Sequence, residues 1–211
     1  MIRIDPKGEP DYFDEKIRQR GQRFLARNPS PTQQQWKKHS YWRECSRDLH
    51  DRYGGICAYS CHWIAFDTGW RQVEHFKPKD RYPNLGYEWS NFRLVCGLLN
   101  GRKGLREIMD PFEVEDGWFT INFPSLLVKA SRELSVELQA RVEKTRDILG
   151  LNDEATCLKS RARYIEDFCR NRIPFEVLIR DAPFLAKELQ RQDLVDRIRE
   201  IMGFEDDSPS A

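Results

Sequence analysis

From Val73 to Gly104 the chain reads VEHFKPKDRYPNLGYEWSNFRLVCGLLNGRKG, and no other stretch constrains the fold as much. A short run ends in Glu74 and His75, and a loop carrying proline and glycine follows. Phe92-Arg93-Leu94-Val95 then reads as a second strand, and Asn100-Gly-Arg-Lys is expected to open a helix. The order is strand, loop, strand, helix. A carboxylate, an imidazole and the two amides of Asn91 and Asn100 fall at its joints.

With 211 residues, 39% hydrophobic and 12% aromatic, the chain can bury one sizeable core with a helical extension. No apolar run approaches the ~20 residues of a membrane span. The first sixteen residues, MIRIDPKGEPDYFDEK, lack the apolar centre of a signal peptide, so a cytoplasmic location without membrane contact is expected. The six cysteines, spread over such a chain, read as thiols or metal ligands rather than a disulfide framework. Net charge is only +1, which excludes the strongly basic field of a protein that binds nucleic acid unaided. The charge is local instead: eight Lys or Arg stand against four acids between Arg71 and Glu107, an excess of +4. Such a stretch suits a phosphate-facing cleft.

Around this core the pattern is helical. Apolar groups at Tyr12, Phe13, Ile17 and Phe24 predict a helix ended by Asn28-Pro29-Ser30-Pro31, and a second is expected from Thr32 through Trp36, Trp42 and Leu49 to Tyr53, before Gly54-Gly55. His39 and His50 on it carry no assigned role. Beyond Asp110-Pro111-Phe112, residues 117–123 read as a short strand or hairpin arm. Helices are expected over 133–149 with Gly150 as C-cap, from a cap at Asn152 or Asp153 to 173, and over 183–202. Four regions result: N-terminal helices (1–53), the core (54–110), a short β arm with helices (111–204), and an acidic tail expected to be disordered (205–211). Phe184, Leu185, Leu194 and Ile198 form a stripe at helical spacing that reads as a docking surface or a lid.

The 73–104 run resembles the HNH, or ββα-metal, nuclease motif. That resemblance implies an α+β fold, a mostly helical chain around a small ββα core. It implies a divalent cation between the first strand and the helix, and hydrolysis of phosphodiester bonds, most simply in DNA. By position, His75 would be the general base, Asn91 a supporting amide that fixes the His75 strand, and Asn100 and Glu74 ligands to Mg²⁺ or Mn²⁺, hard ions that accept amide and carboxylate oxygen. Lys77, Lys79, Arg93, Arg102 and Lys103 would meet phosphates, the last two at the amino-terminal turn of the helix. Cys57, Cys61 and Cys96 resemble a zinc knuckle, but Ser60 and Leu99 stand where the second and fourth ligands belong, so structural zinc is not expected. The bland reading is a knuckle packed by Ile56, Tyr59, Trp63 and Leu99.

Asp110-Pro111-Phe112, the helix end Ile148-Leu149-Gly150-Leu151-Asn152 and Arg161 look like a group of bacterial HNH proteins of the Septu and retron-associated PtuB type. These work beside an ATPase in anti-phage defence, which implies DNA and an ATPase-type subunit as partners. A non-catalytic subunit on the same scaffold, binding nucleic acid or holding an assembly together, is the competing class.

Overall fold

A computed structural model describes residues 1–67 and 69–204; the acidic tail lies outside the described residues. The fold is mixed α+β, and the chain divides into two units. One comprises Ile4–Tyr59 and Ile64–Arg106. The other comprises Met1–Arg3, Ser60–Trp63 and the chain from Glu107.

In the first unit, a turn of π-helix at Asp14–Arg18 runs into α1 (Gln19–Arg27). Next come α2 (Gln33–Lys38), a 3-10 segment at Tyr41–Cys45, and α3 (Ser46–Arg52). Thr32 and Gln35 close a reciprocal capping box on α2. The single helix expected over 32–53 is thus broken at His39-Ser40. The reason is tertiary: the His39 carbonyl accepts the Tyr87 hydroxyl at 2.7 Å as well as the Tyr41 N–H at 2.9 Å, and the His39 ring stacks on Phe24. The bend lets Trp36 and Trp42, 6.0 Å apart edge to face, both reach Tyr87. Gly21 completes this aromatic core, because a Cβ there would lie 2.0 Å from the Tyr87 ring.

Strand β1 (Arg71–His75) pairs antiparallel with β2 (Phe92–Cys96), with Glu74 opposite Arg93 and His75 opposite Phe92. Helix α4 (Gly97–Lys103) follows at once, starting three residues before the expected Asn100. Arg102 and Lys103 therefore lie at its carboxyl end, not its amino-terminal turn.

The second unit holds the hairpin β3 (Phe119–Asn122) and β4 (Leu127–Ala130), then α5 (Val136–Leu149) capped by Ser135 and closed by Gly150 at φ 60°. A π turn at Glu154–Leu158 leads into α6 (Lys159–Cys169). Helices α7 (Phe175–Asp181), α8 (Pro183–Arg191) and α9 (Ile198–Ile201) complete it. Polar side chains pin the hairpin. Asn152 brackets Val128 with bonds of 2.8 and 2.9 Å, Arg161 reaches the Leu126 carbonyl, and Glu188 accepts the Ile121 N–H. Asn152 and Arg161, which carried part of the resemblance, thus have structural work here.

Two expectations fail in this unit. The helix expected over 183–202 is two helices, with Asp193 at φ 54° between them, and α7 was not expected. Phe184, Leu185 and Ile198 are buried and Leu194 is half-buried, so the stripe is interior packing rather than a docking face. Among the described residues, no helix is long and apolar enough to cross a membrane.

His62 gives this unit a pH sensitivity. Its Nδ1 lies 3.0 Å from the Ser160 hydroxyl, and burial, with Arg161 nearby, pushes the imidazole down to about 3. A folded-state value below the ordinary 6.5 means that the unfolded chain takes up the proton first. The stability is complete above about pH 6.5 and is lost as pH falls toward 3. By pH 5 the loss should be about 2 kcal/mol. Denaturant titrations at pH 7.5 and pH 5 should show this drop shrinking in His62→Gln; an equal drop in both proteins would contradict it.

Candidate active site

The joint between β1, β2 and α4 opens on a cleft of about 720 Å³ lined by Trp42, Gln72, Glu74, His75, Lys79 and Asn100, among others. β1 ends here with two polar residues that are almost wholly buried, Glu74 (6% exposed) and His75 (7% exposed).

The His75 ring is held by two aromatic neighbours and at one nitrogen. Trp42 and Phe92 meet it edge to face, with centroids 4.8 and 5.2 Å away. Its Nε2 lies 2.9 Å from the Gly86 carbonyl. A carbonyl can only accept, so Nε2 carries the hydrogen in the neutral ring and Nδ1 keeps its lone pair. Burial, together with the cations Lys79 and Lys103, pushes the imidazole down to about 3, so it is neutral at physiological pH. An anion entering the cleft would raise its basicity. Sequence reasoning missed Gly86, whose contribution is a backbone carbonyl and leaves no trace in residue type.

Asn91 is a tether. Its Oδ1 accepts the Lys77 N–H at 2.8 Å, and its Nδ2 donates to the Lys77 and Leu85 carbonyls at 3.0 and 3.1 Å. Its own carbonyl accepts the Phe76 N–H. The amide therefore clamps both ends of the loop between β1 and β2, and through Leu85 it holds the turn that presents Gly86.

Glu74 Oε1 is 2.6 Å from the Lys103 ammonium, and Lys103 is 1% exposed. Burial holds the Glu74 carboxyl above the ordinary carboxylate range, with Lys103 pulling the other way. The expected phosphate contact of Lys103 does not match this placement: its charge is spent inside the site. Arg93 is buried too, donating to the Ser90 and Phe92 carbonyls. Lys77 is exposed, Arg102 is half-buried, and Lys79 lines the cleft with its ammonium 5.6 Å from the Trp42 ring. On α4, Asn100 Nδ2 donates to Gln72 Oε1, which leaves the amide oxygen as an available donor atom. Gln72 was another residue that the sequence did not single out.

The three knuckle cysteines are divided between the units. Cys57 and Cys96 lie together, the Cys96 N–H 3.4 Å from Cys57 Sγ, whereas Cys61 belongs to the second unit. Of the side chains expected to pack the knuckle, Tyr59 and Leu99 are buried but Trp63 is 44% exposed and lies in the second unit. Among the described residues, no group of three or more His, Cys, Asp or Glu side chains is placed to hold a metal ion. None of the six cysteines is joined in a disulfide. A hard divalent ion needs fewer protein ligands, since Mg²⁺ keeps several waters and takes one or two carboxylates plus substrate phosphate. The oxygen donors of Glu74 and Asn100, on one cleft, fit that chemistry.

No family model matches the chain. It is similar to a curated protein of Bacillus thuringiensis named Septu protein PtuB, with 31% identity over 101 residues. The matched region is 46% of this chain and 36% of that protein, so the chain spans about a third of the relative's length.

Proposed function

We propose that this chain is a metal-dependent endonuclease of the HNH type that hydrolyses phosphodiester bonds, DNA foremost, as the nuclease subunit of an anti-phage defence assembly. The observation that carries the reading is the 2.9 Å contact of His75 Nε2 with the Gly86 carbonyl, which fixes the tautomer. A neutral imidazole, its Nε2–H held by the Gly86 carbonyl and its Nδ1 lone pair unused, stands on a cleft beside Glu74 and Asn100. That is the disposition of a general base for water. In the reaction His75 Nδ1 takes a proton from water as the oxygen bonds to phosphorus, and the bond to the 3′ oxygen breaks. Glu74 and Asn100 would hold Mg²⁺ or Mn²⁺, which supplies neutralising charge to the phosphate and the departing oxygen when bound. Asn91 keeps the loop that presents Gly86 in register, and Lys79 adds positive potential at the cleft wall.

Similarity to a Septu protein supports the defence role and a protein partner, and the sequence resemblance makes that partner of ATPase type. So does the charge: a net +1 with a local excess of +4 neutralises few phosphates, so nucleic acid would have to be delivered. One observation favours a non-catalytic scaffold instead, the Glu74–Lys103 ion pair, which neutralises the candidate ligand. The two readings separate on a metal titration of cleavage. For a nuclease, Asn100→Ala should raise the Mg²⁺ requirement about tenfold or more while maximal cleavage at saturating metal falls less. An unchanged titration would remove Asn100 from the ion.

A further inference from the structure

Trp70, immediately before β1, is among the residues that line the cleft and is 70% exposed. The tryptophans of the same unit behave otherwise: Trp36, Trp42 and Trp89 are 2%, 8% and 6% exposed. An indole left in water forgoes the stabilisation of burial, which the ring recovers when something covers it.

The ring is not loose. A Cβ on Gly97 would fall within 2.2 Å of it, so the indole lies against the first residue of α4, and the Trp70 carbonyl accepts the Gly97 N–H at 2.8 Å. Only glycine at position 97 allows that approach. One side of the indole is thus backed by the helix that carries Asn100, and most of its surface faces solvent. Arg43, Arg71 and Lys79 line the same cleft. Glu74 and Asp80 are the acids there, and Glu74 is already neutralised by Lys103.

We propose, resting on the nuclease reading above, that Trp70 is a stacking platform for a nucleobase, and that the substrate class is a single-stranded or unpaired segment. A flat, backed ring with an open face takes the face of a base, and cations beside it take the flanking phosphates. In a continuous duplex both faces of each base are covered by its neighbours, so the platform can be filled only by a base with a free face. The small net charge strengthens the inference, because phosphate contacts alone bind weakly and stacking then supplies much of the affinity. Trp70 is a positioning residue: it sets which strand segment lies over His75.

The test uses full-length protein carrying His75→Ala, to prevent cutting. Fluorescence anisotropy measures its binding to labelled oligodeoxythymidine and to a labelled duplex of the same length at low salt. Single strand should bind more tightly than duplex, and adding Trp70→Ala should weaken single-strand binding by roughly 5- to 150-fold with duplex binding changed less than about twofold. Trp70→Phe should recover most of the loss. Equal single-strand affinity with and without Trp70→Ala overturns the platform, as does a preference for duplex, and both leave the nuclease reading standing if wild-type protein cuts duplex. Binding of neither probe by the parent protein, with no cleavage by wild type, both measured with its copurified partner added, overturns the platform and the nuclease reading together.

Discussion

Lys103→Ala should lower the stability of the unit that carries the cleft by about 3–5 kcal/mol, the usual cost of stranding one member of a buried ion pair. Lys103 and Glu74 are 2.6 Å apart, with side chains 1% and 7% exposed. Burial already holds the Glu74 carboxyl above its ordinary range, and Lys103 is the largest influence opposing that. Without the ammonium, Glu74 has to protonate or draw water into the site. The double variant Lys103→Met, Glu74→Gln removes both charges and should regain most of the loss, because the penalty comes from the unpaired charge rather than from a missing contact. Urea denaturation followed by intrinsic fluorescence reads the difference. A loss under about 1 kcal/mol in the single variant would mean that the pair is open to water in solution.

His75→Ala should reduce cleavage by roughly 10²- to 10⁴-fold, the range for loss of a positioned general base. The side chain also donates to the Gly86 carbonyl and packs against Trp42 and Phe92, so alanine carries a folding cost of about 1–3 kcal/mol for the unsatisfied carbonyl. His75→Asn keeps a donor and some of the volume. Both variants should show a native circular dichroism spectrum, and both should be inactive. An active His75→Asn protein with an inactive His75→Ala would mean that position 75 matters for packing and not for proton transfer.

How far the residues foretold this arrangement depended on the scale of the interaction. The two strands and their order were legible, because a run ending in Glu74-His75, a loop with proline and glycine, and the run Phe92-Arg93-Leu94-Val95 follow one another, and Gly150 marked the end of α5 with its positive φ. The tethering geometry of Asn91 was legible as well, since an Asx side chain before a strand has backbone groups within reach. The start of α4 was not. Glycine at position 97 argues against a helix on propensity, yet the Trp70 ring packs where a Cβ would be, and that tertiary contact decides.

Lys103 was misplaced for the same reason: its position relative to Asn100 suggested a phosphate, while its actual partner, Glu74, is distant in sequence and adjacent only across the β1–α4 contact. The break between α2 and the following 3-10 segment depends on a hydroxyl from Tyr87, again distant in sequence. The stripe at Phe184, Leu185 and Ile198 had the right periodicity for an amphipathic helix, but periodicity gives a face without saying what covers it.

The central claim, a cleft in which His75 activates water for phosphodiester hydrolysis, is tested most directly by incubating purified wild-type protein with supercoiled plasmid and a labelled single strand. Parallel reactions contain Mg²⁺, Mn²⁺ or EDTA and are read on gels against His75→Ala at the same concentration. The account predicts nicked plasmid or shortened strand with either metal, none with EDTA, and none above background with His75→Ala. Equal cleavage by wild type and His75→Ala, or no cleavage by wild type under any condition, including with its copurified partner added, would contradict it.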